Sequence, residues 1–226
     1  MLKRMQNATV AAFMTVPEFA SIFDPVLFRK GYNHIRRRDP KLKPLLEKHG
    51  PISFGPQGEM FEAIVESILS QQLAGAAADA IIRRVRATHP QGKLIPEHLH
   101  STRAAKLRRA GVSPQKLGYL RDLTSRLARG TLELESLRPL PDEEIIRVLD
   151  EVKGIGPWTV QMLLIFTLGR ADVLPVDDYG IRSGISQIYG MGTLPKKAEI
   201  EKLAEKWHPY CSVASLYLWR HKDRQE

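Results

Sequence analysis

The chain has 226 residues, 43% of them hydrophobic, enough for a real core in one large domain or two small lobes. Lys and Arg number 34 against 25 Asp and Glu, a net charge of +9, so a polyanion is the simplest partner. The single cysteine, Cys211, excludes a disulfide framework, a four-cysteine zinc site and a cysteine-ligated iron–sulfur cluster.

The periodicity is helical nearly throughout. Over 18–33, Phe19, Ile22, Phe23, Val26, Leu27 and Tyr32 recur near the helical period, and Pro25 predicts a break into two pieces. Residues 41–48 carry Leu42, Leu45 and Leu46, and 51–58 form a Gly- and Pro-rich loop. The cleanest amphipathic run is 60–73, with Met60, Phe61, Ile64, Val65, Ile68, Leu69 and Leu73. An alanine-rich helix over 74–89 follows, then helices over 102–110 and 114–127. Ser113 before Pro114 reads as a cap followed by a first-turn proline. Helices are predicted over 142–152 and from Pro157, then over 178–189, 196–207 and 210–220. Strand signals are few, and the fold class is all-α. The longest apolar candidate for a membrane span, 160–168, is short and interrupted by Gln161 and Thr167. The N-terminus lacks the leucine-rich centre and cleavage site of a signal peptide, so a reducing, cytoplasmic location is expected.

Function is concentrated in Lys153-Gly154-Ile155-Gly156-Pro157-Trp158-Thr159. Gly154 ends one helix, Gly156 permits a tight turn, and Pro157 suits the first position of the next helix. Amides around Gly154 and Gly156 then face outward at the positive end of a helix, where a DNA phosphate fits. A plain helix connection without a ligand is the competing reading. Downstream lies an acidic pair, Asp177-Asp178. Either carboxylate could serve chemistry or merely cap a helix.

Four blocks in order resemble the helix-hairpin-helix (HhH-GPD) DNA glycosylase superfamily, and most of all its bacterial 3-methyladenine DNA glycosylase II branch. They are Ile68-Leu69-Ser70-Gln71-Gln72-Leu73; Gly154-Ile155-Gly156-Pro157-Trp158-Thr159; Leu174-Pro175-Val176-Asp177-Asp178-Tyr179-Gly180-Ile181; and Ala204-Glu205-Lys206-Trp207-His208-Pro209-Tyr210, running on to Leu218-Trp219. The resemblance implies one unit, 1–226, of two helical lobes with an active-site cleft between them. The lobes would be about 1–55 plus 175–226, and 56–174. The N-terminal β-rich domain of some bacterial relatives is not expected.

The resemblance makes Asp178 the catalytic carboxylate and Asp177 the fallback, with Asp177 the candidate helix cap. Trp158 and Trp219 become walls of a pocket for a cationic methylated purine, whose charge an indole face attracts. Met162 replaces an aromatic residue of some relatives, and Phe54 and Met60 are further lining candidates. All five are also ordinary core residue types. Leu73 is the implied wedge into the gap left by a flipped nucleotide, or else a core residue. Gln71 and Gln72 are candidate contacts to the orphan base or backbone, and Gly154, Gly156 and Thr159 to phosphate. The hairpin of relatives holds an alkali-metal ion through main-chain carbonyls, here those of Asp150, Val152 and Ile155; no other cofactor is implied.

The implied partner is double-stranded DNA with a damaged base, without membrane or obligate protein partner. The implied activity is monofunctional base excision repair of alkylated purines. A bifunctional glycosylase with lyase activity and a non-catalytic DNA-binding module remain the alternatives.

Overall fold

The computed structural model describes residues 25–51 and 58–222, and among these there is no strand. The helices in chain order are α1 (Pro25–Arg38), α2 (Lys43–His49), α3 (Met60–Ser70), α4 (Gly75–Arg86), α5 (Pro96–Ser101), α6 (Ala104–Arg109) and α7 (Pro114–Ala128). They continue with α8 (Leu134–Leu137), α9 (Asp142–Asp150), α10 (Pro157–Phe166), α11 (Tyr179–Tyr189), α12 (Lys197–Ala204) and α13 (Cys211–Lys222). The part of the predicted 18–33 helix before Pro25 lies outside the described residues. From Pro25 onward the helix runs further than expected, to Arg38, because a proline is tolerated in a first turn. No described helix is long and apolar enough to cross a membrane.

The described residues fall into two compact units, 58–163 in one and 25–51 with 164–222 in the other. The division passes through α10.

In the 58–163 unit, α3 is the central element. Met60, Phe61, Ile64, Val65, Ile68 and Leu69 are all buried, as their spacing requires. Each contributes about 1.5–3 kcal/mol by leaving water. Helix α7 packs on α3, α5 and α6. Its first turn is built as its sequence predicts, with the Ser113 side chain accepting from the Lys116 N–H at 3.2 Å and Pro114 following. Arg121 of α7 donates to the carbonyls of Leu99, His100 and Thr102, closing the orphan end of α5. Glu62 and Glu66 of α3 hold Arg86 of α4 at 3.0 and 2.7 Å.

In the other unit, α13 packs against α11, α1 and α2. Small residues on α11 let the two helices approach closely. A Cβ on Gly180 would lie 2.8 Å from the Trp219 ring, and one on Gly184 3.2 Å from Leu218. A buried carboxylate, Asp39, knots the helices together. It accepts from the Tyr189 hydroxyl, from the Trp207 indole at 2.7 Å and from the Lys41 and Leu42 amides, with Lys206 Nζ at 3.2 Å. Burial pushes its pKa up, but the hydrogen bonds from Tyr189, Trp207 and the Leu42 amide, with the Lys206 charge, together outweigh this and hold the carboxyl below its usual range.

Candidate active site

The hairpin lies in the 58–163 unit and joins α9 to α10. Helix α9 stops at Asp150, two residues before the expected end, and Gly154 takes the left-handed conformation with φ +83°. A side chain there would be strained and would also collide with the Tyr119 ring, whose nearest atom is 2.2 Å from an added Cβ. Gly156 is different: an added Cβ would meet nothing within 4 Å. So Gly154 is needed by the fold, whereas Gly156 keeps a face of the turn open.

Helix α7 and the residues after α3 brace this turn. Asp122 accepts from the Lys153 amide at 3.0 Å and from Arg126 at 3.1 Å, and Arg126 also donates to the Glu151 carbonyl. Gln71 Nε2 donates to the Gly154 carbonyl at 2.7 Å. The amide of Gln71, expected to reach DNA, is thus engaged in holding the hairpin. Val152 and Ile155 are buried anchors on either side of Gly154. Thr159, expected at the phosphate, is 7% exposed and lines a small internal cavity together with Ala63, Ile64 and Ser67.

The segment after α3 departs from its predicted form. The helix stops at Ser70, so Gln71, Gln72 and Leu73 form a turn and not a last helical turn. Gln72 has φ +62°, a conformation that costs a residue with a β-carbon about 1–3 kcal/mol. Gln72 is exposed and Leu73 half-buried. Beneath them the Lys116 ammonium donates to the Leu69 carbonyl at 2.6 Å and secures the end of α3. Burial lowers the Lys116 pKa to about 8.

Asp178 belongs to the second unit. It is the N-cap of α11, its Oδ1 accepting from the Ile181 amide at 2.9 Å. The same oxygen accepts from the Trp219 indole Nε1 at 2.8 Å. Asp178 is 1% exposed, whereas its neighbour Asp177 is exposed. The capping expected of Asp177 is therefore done by Asp178, because only its side chain turns back onto the first turn of α11. The indole of Trp219 stacks on Phe166, with ring centroids 5.6 Å apart. Trp219 was expected as a pocket wall. Its polar edge serves the carboxylate and Phe166 lies against its face, with 3% of the residue exposed.

Met60 and Met162 also depart from expectation. Both are 0% exposed, so they leave no surface for a base and belong to the core. Their positions on helical stripes reported burial, which a pocket wall and a core residue share. Trp158, in the first turn of α10, is half-buried. Phe54 lies outside the described residues. The Trp219–Asp178 bond and the Gln71 brace span 41 and 83 residues, and local spacing carries no signal for either.

The family model for the HhH-GPD superfamily of base excision DNA repair proteins matches residues 65–209, which contain both the hairpin and Asp178. The chain belongs to this superfamily. Among relatives of this HhH-GPD protein, DNA-3-methyladenine glycosylase 1 of Schizosaccharomyces pombe is 33% identical over 182 residues, 80% of each chain. The solved structure of the 3-methyladenine DNA glycosylase Mag1 from that yeast, in complex with abasic DNA, superposes with a TM-score of 0.77. It is 32% identical, over 86% of this chain and 97% of the other. A DNA-3-methyladenine glycosidase from Bacillus halodurans gives 0.75 at 34% identity, over 84% and 88%. The HhH-GPD match accounts for the order of the four sequence blocks, all of which fall in or beside the matched span.

Proposed function

We propose that this chain is a monofunctional DNA glycosylase that excises alkylated purines in base excision repair. The observation that carries the reading is the buried Asp178 carboxylate, capped onto α11 and held by Trp219. Scission of an N-glycosidic bond passes through a sugar with oxocarbenium character. A carboxylate fixed in advance, in a site with little water, stabilises that charge most effectively. A 3-methyladenine or 7-methylguanine already carries positive charge. The glycosidic electron pair leaves with the purine as neutral base, water adds to the sugar carbon, and the water gives up a proton. No organic cofactor is called for by these steps.

Recognition follows from the other unit. The outward face at Gly156, at the N-terminus of α10, receives a backbone phosphate, and the +9 charge makes binding salt-dependent. Trp158 offers its ring face to the cationic purine once the nucleotide is flipped. Leu73, presented on the strained turn beside Gln72, fills the gap left in the duplex. In Leu73→Ala, excision from a stable base pair should fall by more than excision from a mismatch, because a mismatched base is already partly unstacked. Rates on two duplexes differing only in the opposite base check this; equal losses would assign Leu73 to packing.

The hairpin carbonyls of Asp150, Val152 and Ile155 suit an alkali-metal ion, which takes oxygen ligands. The Val152 carbonyl accepts from the Ile155 N–H at 3.0 Å and keeps its second lone pair for such a contact. A bound ion would stiffen the turn and enter no chemical step. With damaged duplex DNA as substrate, the protein works in whichever compartment holds the DNA and needs no protein partner.

Bifunctional members of the superfamily carry, just before the residue matching Thr159, a lysine whose amine attacks the sugar. This chain has Trp158 there, and indole nitrogen is no nucleophile. Lys153 stands exposed before the turn. Water is therefore the nucleophile, and the product is an intact strand with an abasic site. Borohydride added during turnover should trap no protein–DNA adduct. A robust adduct that vanishes on replacing one lysine would establish the lyase reading.

A further inference from the structure

Asp172, His208 and Cys211 meet at the N-terminus of α13, away from any role assigned above. Their ligating atoms all lie within 4.8 Å of one another. His208 Nδ1 is 2.7 Å from Asp172 Oδ2 and 3.6 Å from Cys211 Sγ. From these we propose that the three side chains form a zinc-binding site, with water as fourth ligand.

The geometry and the donor set both favour zinc. A tetrahedral zinc with bonds of about 2.3 Å to sulfur and 2.0–2.1 Å to nitrogen separates those two donors by about 3.5 Å, close to the distance seen. The nitrogen–oxygen pair, now in hydrogen-bond contact, must open by less than 1 Å. Both side chains can do so, since His208 is 51% and Asp172 36% exposed. A thiol, an imidazole and a carboxylate together suit a borderline-soft cation, and suit calcium or magnesium poorly. Cys211 is fully buried and supplies the inner ligand, while the other two close the site from the solvent side.

The backbone around the site is already fixed. Cys211 N donates to Asp172 Oδ1 at 3.1 Å, Ser212 N to the Ala171 carbonyl at 3.0 Å, and Val173 N to Ser212 Oγ at 2.9 Å. Little order must therefore be created when the ion binds. Binding forms the zinc–sulfur bond and releases the thiol proton to solvent, so affinity rises with pH. The ion would cross-link the segment leading to Asp178 with the helix that carries Trp219, and would stabilise the folded chain by mass action.

The test uses the full chain, stripped by chelator and titrated with cobalt(II), then with zinc(II) in competition. One cobalt per chain should bind with a thiolate-to-metal charge-transfer band, zinc should bleach it, and zinc should raise the melting temperature. Cys211→Ser should lose the band and the thermal shift. His208→Asn and Asp172→Asn, at exposed positions that leave the core intact, should weaken both. Absence of a thiolate band in the wild-type chain would overturn the proposal. So would a band that survives Cys211→Ser, or exposed-residue variants that bind metal as the wild type does.

Discussion

Asp178→Asn should lower the single-turnover rate of base release by about 10³-fold or more, the scale seen when a fixed electrostatic partner of a transition state is removed. The substitution is nearly isosteric. The amide oxygen still accepts from the Ile181 N–H and the Trp219 Nε1–H, so the cap of α11 and the packing of α13 persist. What disappears is the negative charge that the proposed mechanism sets opposite the developing sugar cation. Affinity for an abasic-site duplex should be nearly unchanged, because the proposed phosphate contacts come from the hairpin and from basic residues. Rates on methylated duplex and fluorescence anisotropy on abasic duplex separate the two effects. Asp177→Asn, at an exposed side chain, is the control and should excise normally. An inactive Asp177→Asn beside an active Asp178→Asn would reverse the assignment.

Gly156→Asp should weaken abasic-duplex binding by about 10–100-fold, or ~1.4–3 kcal/mol. The turn has room for the side chain, since a Cβ at Gly156 meets nothing within 4 Å. Folding is therefore spared, and a carboxylate stands where phosphate must approach the N-terminus of α10. The comparison with Gly154→Ala is instructive. There φ is +83° and the Tyr119 ring fills the space, so that variant should lose stability through strain and overlap. A drop in melting temperature for Gly154→Ala, with a drop in affinity alone for Gly156→Asp, is the expected pair. Unchanged affinity in a folded Gly156→Asp would show that the hairpin is not the clamp.

The helices were legible where their own residues decide them. The stripe of α3 and the Ser113–Pro114 start of α7 follow from periodicity and capping chemistry, both local properties. Helix α8 escaped because 4 residues are too few to show a period, and α5 because its six residues, Pro-Glu-His-Leu-His-Ser, carry one aliphatic side chain, Leu99. Site residues followed the same divide. Asp178 and the two glycines were visible as motif positions. What each does is set by distant partners: Trp219 for Asp178, and Tyr119 and Gln71 for Gly154. Trp219, Met60 and Met162 show the limit most plainly. An apolar residue at helical spacing announces only that it is buried: Met60 and Met162 pack in the core, and Trp219 also holds a carboxylate, which spacing does not show.

The central claim is that the chain breaks the glycosidic bond of alkylated purines and leaves the strand whole. The direct measurement is base release from DNA treated with a methylating agent, with free purines separated by chromatography and strand integrity read on a denaturing gel before and after alkali. The account predicts free 3-methyladenine and 7-methylguanine, an intact strand before alkali, and cleavage at abasic sites after it. Tight binding to the same DNA with no base released at any enzyme excess would contradict it and leave a DNA-binding module without catalysis.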